Sequence, residues 1–568
     1  MQKRWNVKAG APANKVQHLA EAIHVDPVIA NLLAQRGIET YDQAKQFFRP
    51  AIESLHKPGL MKDMDKAVKR IADAAMNHEK ILVYGDYDVD GTTAVSVVYT
   101  FLKWLGITCE YYIPDRYREG YGVSVQGVDY AAENDFNLII ALDCGIKAQD
   151  NVKYAKEKGI DFIICDHHKP GKTLPEAVAV LNPKRDDCTY PYKELPGCGI
   201  GFKLVQALTE HYDIPFSHLE QYLDIVALGI AADIVPITGE NRTLAHHGLK
   251  RINISPRPGF KAIIDITQIK KEITINDLVF VFGPRINSAG RIESGKSAVE
   301  LLVSETPEKA MLSGESINKT NFERRDVDMA ITQEAIAMID GDEKMKKRKT
   351  TVLYKPGWHK GVIGIVASRL IEKHYYRPTV ILTRSNGVMT GSARSVKNFD
   401  LYEALDACSH LLEQFGGHKY AAGLTMKEEN LNAFTELFEE VVSKKISDEL
   451  LQPEIEIDSA LHLSKIDFKF YNILKQFAPF GPGNMTPVFY SENVIAKREP
   501  MIVDKNHLRM PVAQADAPEK QFYCIGFDMG HLLPLVSQGN PFKICYSIRE
   551  NEWNGEKKLD LNIRDIKI

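Results

Sequence analysis

Asp86, Asp88 and Asp90 follow a short apolar run at alternating positions, in Ile81-Leu82-Val83-Tyr84-Gly85-Asp86-Tyr87-Asp88-Val89-Asp90-Gly91. Three carboxylates this close cannot all ionise at neutral pH unless a cation offsets their repulsion. The chain later supplies Asp143 and the run Asp166-His167-His168, each directly after another apolar segment. Oxygen-rich ligands with one or two imidazoles favour a hard or borderline divalent ion, Mn2+ or Mg2+, over a thiolate-loving one. Carboxylates at separate strand ends can hold two such ions close together, an arrangement suited to in-line attack on phosphorus. These residues support a metal-dependent phosphoesterase.

The apolar runs 81–83, 138–142, 161–164 and 177–181 are separated by helical segments that include 92–105 and 148–158. This alternation predicts βαβ units and a parallel sheet, in which functional groups gather beyond the carboxyl ends of the strands. Before it, residues 1–75 read as a helical lead-in, with Val25-Asp26-Pro27 suited to capping a helix. Residues 305–349 read as long polar connecting helices that end in a basic run, and the bland reading of that run is a solvated helix end. A second, smaller α/β unit opens near residue 350, with strand candidates at 351–354, 379–382 and 387–392. After residue 450, short aromatic-rich strands suggest a small β-barrel. The predicted division is 1–75, 76–304, 305–349, 350–449 and 450–568. Every candidate ligand precedes residue 234, so removing the last segment is expected to leave the metal centre whole.

Whole-chain properties permit this reading. The 568 residues accommodate roughly three or four domains, and 44% hydrophobic with 26% charged residues is ordinary for a globular enzyme. A net charge of -4 means that any basic groove for nucleic acid is local. The eight cysteines form no Cys-x-x-Cys pair, which argues against a zinc site or disulfide framework. With no apparent signal peptide or spanning segment, a reducing cytoplasm is the expected compartment.

Each motif has a bland alternative. Asp86-x-Asp88-x-Asp90-Gly91 also opens a calcium EF-hand loop, but that loop needs a glutamate at its twelfth position, which is Val97 here. Asp233 ends the apolar stretch 226–232, and a buried carboxylate there needs a partner that a metal would provide. Gly416-Gly417-His418-Lys419-Tyr420-Ala421-Ala422-Gly423 reads either as a turn bringing amides and His418 to a phosphate or as a simple tight turn. Ser392 and Arg394 offer a hydroxyl and a guanidinium suited to phosphate. Gly197-Cys198-Gly199-Ile200-Gly201 reads as packing or a turn, because it lacks the spacing and acidic partner of a dinucleotide fingerprint.

In order along the chain, Asp86–Gly91, Asp143-Cys144-Gly145, Asp166-His167-His168 and Asp233 resemble the four motifs of the DHH phosphoesterase superfamily. Gly283-Pro284-Arg285-Ile286-Asn287-Ser288-Ala289-Gly290-Arg291 is similar to a signature of its single-strand-specific 5′→3′ exonuclease branch. The stretch 416–423 resembles the phosphate-binding turn of the DHHA1 domain, and Phe480-Gly481-Pro482-Gly483-Asn484 precedes the position of that branch's OB-fold. The resemblance implies a parallel-sheet DHH domain joined by a long helix to a smaller DHHA1 domain, followed by an OB-type barrel. It implies that Asp88, Asp90, Asp143, His167 and Asp233 hold two ions, Mn2+ or Mg2+, with Asp143 bridging. Asp86 would lie in or near this set, and His168 near the scissile phosphate. It further assigns substrate contacts to Arg116, Ser392 and Arg394 at a terminal 5′-phosphate, and to Arg285, Asn287, Gly416, Gly417 and His418. Many relatives carry histidine at the position of Tyr84, a poor ligand at neutral pH.

The implied activity is hydrolysis of single-stranded DNA from the 5′ end into mononucleotides, in repair and recombination. The protein would be a monomer working with a single-strand-binding protein and a helicase. The strand would run between the DHH and DHHA1 units, with the barrel stacking bases on its aromatics. The rivals are a phosphodiesterase for short RNA or cyclic dinucleotides, a non-catalytic nucleic-acid-binding scaffold, and a pyrophosphatase.

Overall fold

The computed structural model describes residues 3–292, 294–385, 387–553 and 555–568. They form two compact units, a larger one of Trp5–Asn287, Gly295–Gly314 and Ile455–Ile568, and a smaller one made mainly of Glu315–Glu454.

In the larger unit, strands β1 (Lys80–Gly85), β2 (Cys109–Tyr112), β3 (Phe136–Leu142), β4 (Asp161–Cys165) and β5 (Ala179–Leu181) form a wholly parallel sheet in the order β2-β1-β3-β4-β5. Residues 138–142 are all buried, so β3 is a continuous apolar run rather than an alternating one. That pattern arises where elements cover both faces of a parallel sheet. Helices α1 (Val89–Trp104), α2 (Gly197–His211) and α3 (Leu223–Ala232) are largely buried. The first helix begins three residues earlier than the apolar pattern predicts, because Asp88 caps it by accepting the Gly91 amide at 3.0 Å.

The smaller unit holds a five-stranded mixed sheet in which Thr351–Tyr354 and Thr379–Ser385 pair in parallel. Val388–Arg394, Ala421–Met426 and Gln414–His418 continue it antiparallel. The polar stretch is a 34-residue helix, Pro307–Asp340. It lacks a clear apolar stripe because it also buries polar groups: Arg324 donates to Asp328 at 2.9 Å and to Asn321 at 2.8 Å. The basic run after it is occupied by ion pairs, with Lys344 and Arg348 on Glu436 and Lys349 on Asp448.

The C-terminal strands close into a barrel. Phe489–Ala496 pairs with both His507–Gln514 and Phe542–Trp553, while Ala517–Gly526 runs parallel to Glu556–Lys567, the connectivity of an OB-fold. The barrel does not stand alone. Helices Ala13–Ile23 and Pro27–Ala34 bury Leu19, Ile29, Leu32 and Leu33 in the same core as Phe470, Phe489, Leu508 and Tyr546. Asp26 caps the second of these helices by accepting the Val28 amide. The buried Arg242 guanidinium stacks 3.9 Å from the Phe47 ring and donates to the carbonyls of Phe47, Phe477 and Ala478. Asn484 donates to Phe477 and Pro479, and the Pro482 carbonyl accepts from Ile237. The segment 480–484 is thus a joint between the barrel and the rest of its unit. A side chain at Gly481 would fall 2.4 Å from Ile237.

The expectation that removing residues after 450 leaves the metal centre whole concerns the ligands alone, and this shared core adds a cost to the fold. The cut strips the partners from Leu19, Ile29, Leu32, Leu33 and Arg242 and exposes apolar surface worth about 25 cal/mol per Å2. A chain ending at residue 450 is expected to aggregate or to lose its cooperative melt in size-exclusion and thermal-unfolding measurements. Recovery of a monodisperse fragment that melts at the full-length temperature would refute the shared core.

Candidate metal centre

The parallel sheet brings distant carboxylates to one edge because β1, β3 and β4 end side by side. Asp86 follows β1, Asp143 follows β3 and Asp166 follows β4. Asp143 has φ +58°, a left-handed turn that aspartate tolerates better than most residues, and its amide donates to the Cys165 carbonyl at 2.8 Å. Asp90 sits in the first turn of α1. Asp233 ends α3, whose apolar length is buried.

These elements converge on one imidazole. His167 Nε2 lies 3.2 Å from Asp143 Oδ1, 3.6 Å from Asp233 Oδ2 and 3.9 Å from Asp90 Oδ2. Two sets offer ligand atoms within 4.8 Å of one another: Asp143 with His167 and His168, and Asp90 with His167 and Asp233. Asp86 and Asp88 fall outside both sets. Burial first, and the neighbouring Asp88 charge second, nevertheless hold Asp86 well above the usual carboxylate range.

Burial and mutual repulsion likewise raise Asp143 strongly, Asp90 to about 7 and Asp233 to about 9. Burial, together with the neighbouring His168, lowers His167 to about 3, so its ring is neutral and able to act as a ligand. Among the described residues, Asp86 Oδ2, Asp143 Oδ1, Asp233 Oδ2 and His167 Nδ1 are buried without a hydrogen-bond partner. Carboxylates pushed toward protonation, with orphaned oxygens facing a neutral imidazole, fit divalent cations.

His168 is held differently. Burial lowers its proton affinity, but Asp166 more than offsets this by accepting from its ring Nδ1 at 2.7 Å and its amide at 3.0 Å. Asp166 also accepts the Ile146 amide at 2.9 Å. The other ring nitrogen of His168 lies 3.3 Å from the Tyr121 hydroxyl, which is 3.4 Å from the Asp143 carbonyl. The Arg116 guanidinium carbon lies 4.9 Å from the centre of the Tyr87 ring. Tyr84 is fully buried, its hydroxyl donating to the Gly122 carbonyl at 3.0 Å and accepting from Ser124 N at 3.2 Å. It therefore serves the loop at 122–124.

The run 197–201, read from sequence as packing or a turn, takes part in the site. Gly197 and Cys198 open α2, and their amides donate to the two Asp90 carboxylate oxygens at 2.6 and 2.9 Å. A helix N-terminus thus orients the carboxylate and partly balances its charge. The available signal was small residues at the start of an apolar helix, but nothing local names Asp90 as their partner. Asp166 stands out from sequence only as part of its run, with no role of its own, and Tyr121 is not singled out.

In the smaller unit, Arg394 donates to the Ser392 hydroxyl at 2.9 Å. A side chain at Gly364, in the first turn of helix Ile363–Lys373, would fall 2.8 Å from both groups. The stretch 416–423 is a β-hairpin rather than one glycine-rich turn: Gly416 pairs with Gly423 and His418 with Ala421, and only Lys419 and Tyr420 make the turn. Arg285 and Asn287 lie on helix Gly283–Ile292, two residues apart and so on different faces. Arg285 reaches back to the Val281 carbonyl at 2.8 Å.

Close approach makes Gly197 a sensitive point, since a Cβ there would fall 2.5 Å from Asp143 Cβ and 2.8 Å from its Cα. Gly197→Ala is expected to displace Asp143 and weaken Mn2+ binding roughly 10–100-fold, the range found when support for a metal ligand is lost. Calorimetric titration with Mn2+ checks this, and unchanged affinity would count against the Asp143 assignment.

Residues 80–230 match the model of the DHH family N-terminal domain, 347–444 that of the DHHA1 domain and 457–565 that of the RecJ OB domain. The chain is 37% identical to the single-stranded-DNA-specific exonuclease RecJ of Bacillus subtilis, over 99% of this chain and 70% of that protein. With the Escherichia coli protein of the same name it shares 30% identity, over 95% of this chain and 96% of that one. Its fold is similar to RecJ from Thermus thermophilus in complex with Mn2+, with TM-score 0.85 and 26% identity, covering 100% of this chain and 79% of that one. A manganese-bound exonuclease RecJ structure aligns with TM-score 0.59 and 31% identity over 69% of this chain and 96% of that one. With the four motifs placed around one buried centre and the match running from end to end, the chain belongs to the RecJ family of single-stranded-DNA-specific exonucleases.

Proposed function

We infer that this chain is a divalent-metal-dependent exonuclease specific for single-stranded DNA, working 5′→3′ and releasing 5′-mononucleotides. The observation that carries the reading is the convergence of Asp90, Asp143 and Asp233 on His167, with orphaned ligand atoms, in a member of a family of single-stranded-DNA-specific exonucleases. Asp88, Asp90, Asp143, His167 and Asp233 would hold two ions, with Asp143 bridging and Asp86 beside them; Mn2+ is the first choice and Mg2+ the second. When bound, such ions supply positive charge for the phosphoryl oxygens and lower the pKa of the attacking water.

The protein's own groups do the rest. Asp166 holds the Nδ1 side of His168, leaving Nε2 to give a proton to the departing 3′-oxygen. Arg116, near Asp86, offers its charge to the phosphate. Gly197 and Cys198 keep Asp90 aimed at the centre. Ser392 and Arg394, beside a helix N-terminus, suit a terminal phosphate, which supports 5′-end recognition. The retained carboxylates around His167 favour an enzyme over a scaffold.

Repair and recombination, a monomeric state, and cooperation with a helicase and a single-strand-binding protein complete the reading. All eight cysteines are free thiols, which suits a reducing cytoplasm. Among the described residues, no helix is long and apolar enough to cross a membrane.

The direct test incubates the protein and Mn2+ with 5′- or 3′-labelled single strands, beside duplex and a cyclic dinucleotide. Single strands are expected to shorten from the 5′ end while the others persist. EDTA, Asp90→Ala and Asp143→Ala should each reduce turnover by more than roughly 100-fold. Turnover within tenfold of wild type in either variant would remove the assignment.

Arg394→Ala is expected to raise KM more than it lowers kcat, losing about 1.5–3 kcal/mol of charge-assisted binding. Its preference for 5′-phosphorylated over 5′-hydroxyl strands should shrink accordingly. An unchanged preference would place terminal-phosphate recognition elsewhere.

A further inference from the structure

Twelve non-glycine residues among those described have positive φ, and eleven of them are Asp, Asn, His or Gln. The twelfth is Ile234, at φ +59°, directly after Asp233. Short polar side chains tolerate this left-handed region, whereas a β-branched residue there is an outlier. The conformation itself has a plain cause. Asp233 caps the C-terminus of α3, and the next residue of such a cap turns left-handed, a position where glycine or asparagine is usual. The cap explains the backbone but not the isoleucine.

Core packing does not explain it either. Ile234 is 63% exposed, while Val235, next along the chain, is buried. An apolar branched side chain therefore stands in solvent, in a conformation unfavourable to it, about 3.8 Å in Cα separation from a proposed metal ligand. Strain persists where the surrounding structure holds it in place, and it clusters at ligand clamps and active sites.

A second feature lies against the same helix end. Residues 278–282 form a π-helical turn, a rare element frequent at functional sites, and it carries Phe280 at 73% exposure. It leads into Gly283, where a side chain would lie 3.7 Å from Ala232 Cβ. Two exposed apolar groups thus flank the segment that delivers Asp233. The carboxylates and imidazoles of the centre suit metal ions, and the carboxylates repel phosphate unless cations lie between them, so none of these groups supplies an aliphatic contact for a sugar or base.

We propose that Ile234 is a substrate-contacting residue, its side chain packing on the sugar and base of the nucleotide at the metal centre. The inference rests on the nuclease reading above. It assigns to Ile234 the apolar part of nucleotide recognition and leaves the phosphate to Arg116 and to the cations that the carboxylates would hold. Nucleotide contact gives the exposed isoleucine a role that its backbone position does not.

The test compares wild type with Ile234→Asn and Ile234→Gly, both of which relieve the backbone strain, and with Ile234→Val. Thermal unfolding, Mn2+ calorimetry, anisotropy of a fluorescent 5′-phosphorylated single strand in EDTA, and Mn2+-dependent hydrolysis are measured on the full chain. Ile234→Asn and Ile234→Gly are expected to melt at or above the wild-type temperature and to bind Mn2+ as wild type does. They should bind the strand roughly tenfold more weakly and show a raised KM, as loss of an apolar contact predicts. Ile234→Val should recover most of the lost affinity. Wild-type strand affinity and KM in both variants would overturn the proposal. A parallel loss of Mn2+ affinity would overturn it too, by showing that Ile234 acts only through Asp233. A wild-type protein that binds the strand but hydrolyses nothing would defeat the nuclease reading while leaving the contact measured by anisotropy.

Discussion

Asp86, Asp90 and Asp143 are buried side by side, with Asp88 and Asp233 close enough to add to the repulsion. In a medium of low effective dielectric, unit charges a few ångströms apart repel strongly, and ionised carboxylates also lose their hydration there. The fold answers locally where it can. The α2 amides donate to Asp90, and the His168 ring and amide donate to Asp166. Asp86, Asp143 and Asp233 keep oxygens that no described group satisfies. Divalent cations would offset this repulsion, so the fit to metal follows from the packing as much as from the chemistry.

Glycine makes that packing possible. A side chain at Gly91 would fall 2.5 Å from the Asp86 carbonyl, and one at Gly229 would fall 2.7 Å from Cys198 Cβ and 3.2 Å from Asp90 Oδ1. With Gly197 against Asp143, these positions let α1, α2 and α3 close on the carboxyl ends of β1 and β3 at backbone distance. The centre is compact because helices approach it without intervening side chains, and a crowded anionic site needs such rigid support to stay preorganised.

The barrel has a dual character. Its strand connectivity is that of an oligonucleotide-binding fold, and its outer surface carries Tyr523 with Arg509 5.6 Å from the ring centre. Its core is also the core of the N-terminal helices, and Arg242 fastens it through main-chain carbonyls. A change in this barrel therefore reaches stability as well as substrate grip, because buried guanidinium bonds and a common apolar core couple the two.

The sequence by itself determined the parallel sheet, the position of its carboxylates after the strands, and the metal character of the site. These are local matters: apolar runs of strand length, turn residues and a repulsive charge pattern are readable without neighbours. Strand candidates such as 351–354 matched closely, since their boundaries depend on nearby residues. Tertiary structure alone decided what lies far apart in sequence and close in space. The donation from Gly197 and Cys198 to Asp90 and the sharing of one core by the first helices and the last barrel depend on long-range contacts, as does the pairing of Ala421–Met426 with Val388–Arg394 that builds the local 416–423 hairpin into a sheet. The strain at Ile234 belongs with them: a helix end after Asp233 was foreseeable, but a left-handed, exposed isoleucine was not. Local propensity cannot reveal a conformation that the surrounding fold imposes against it.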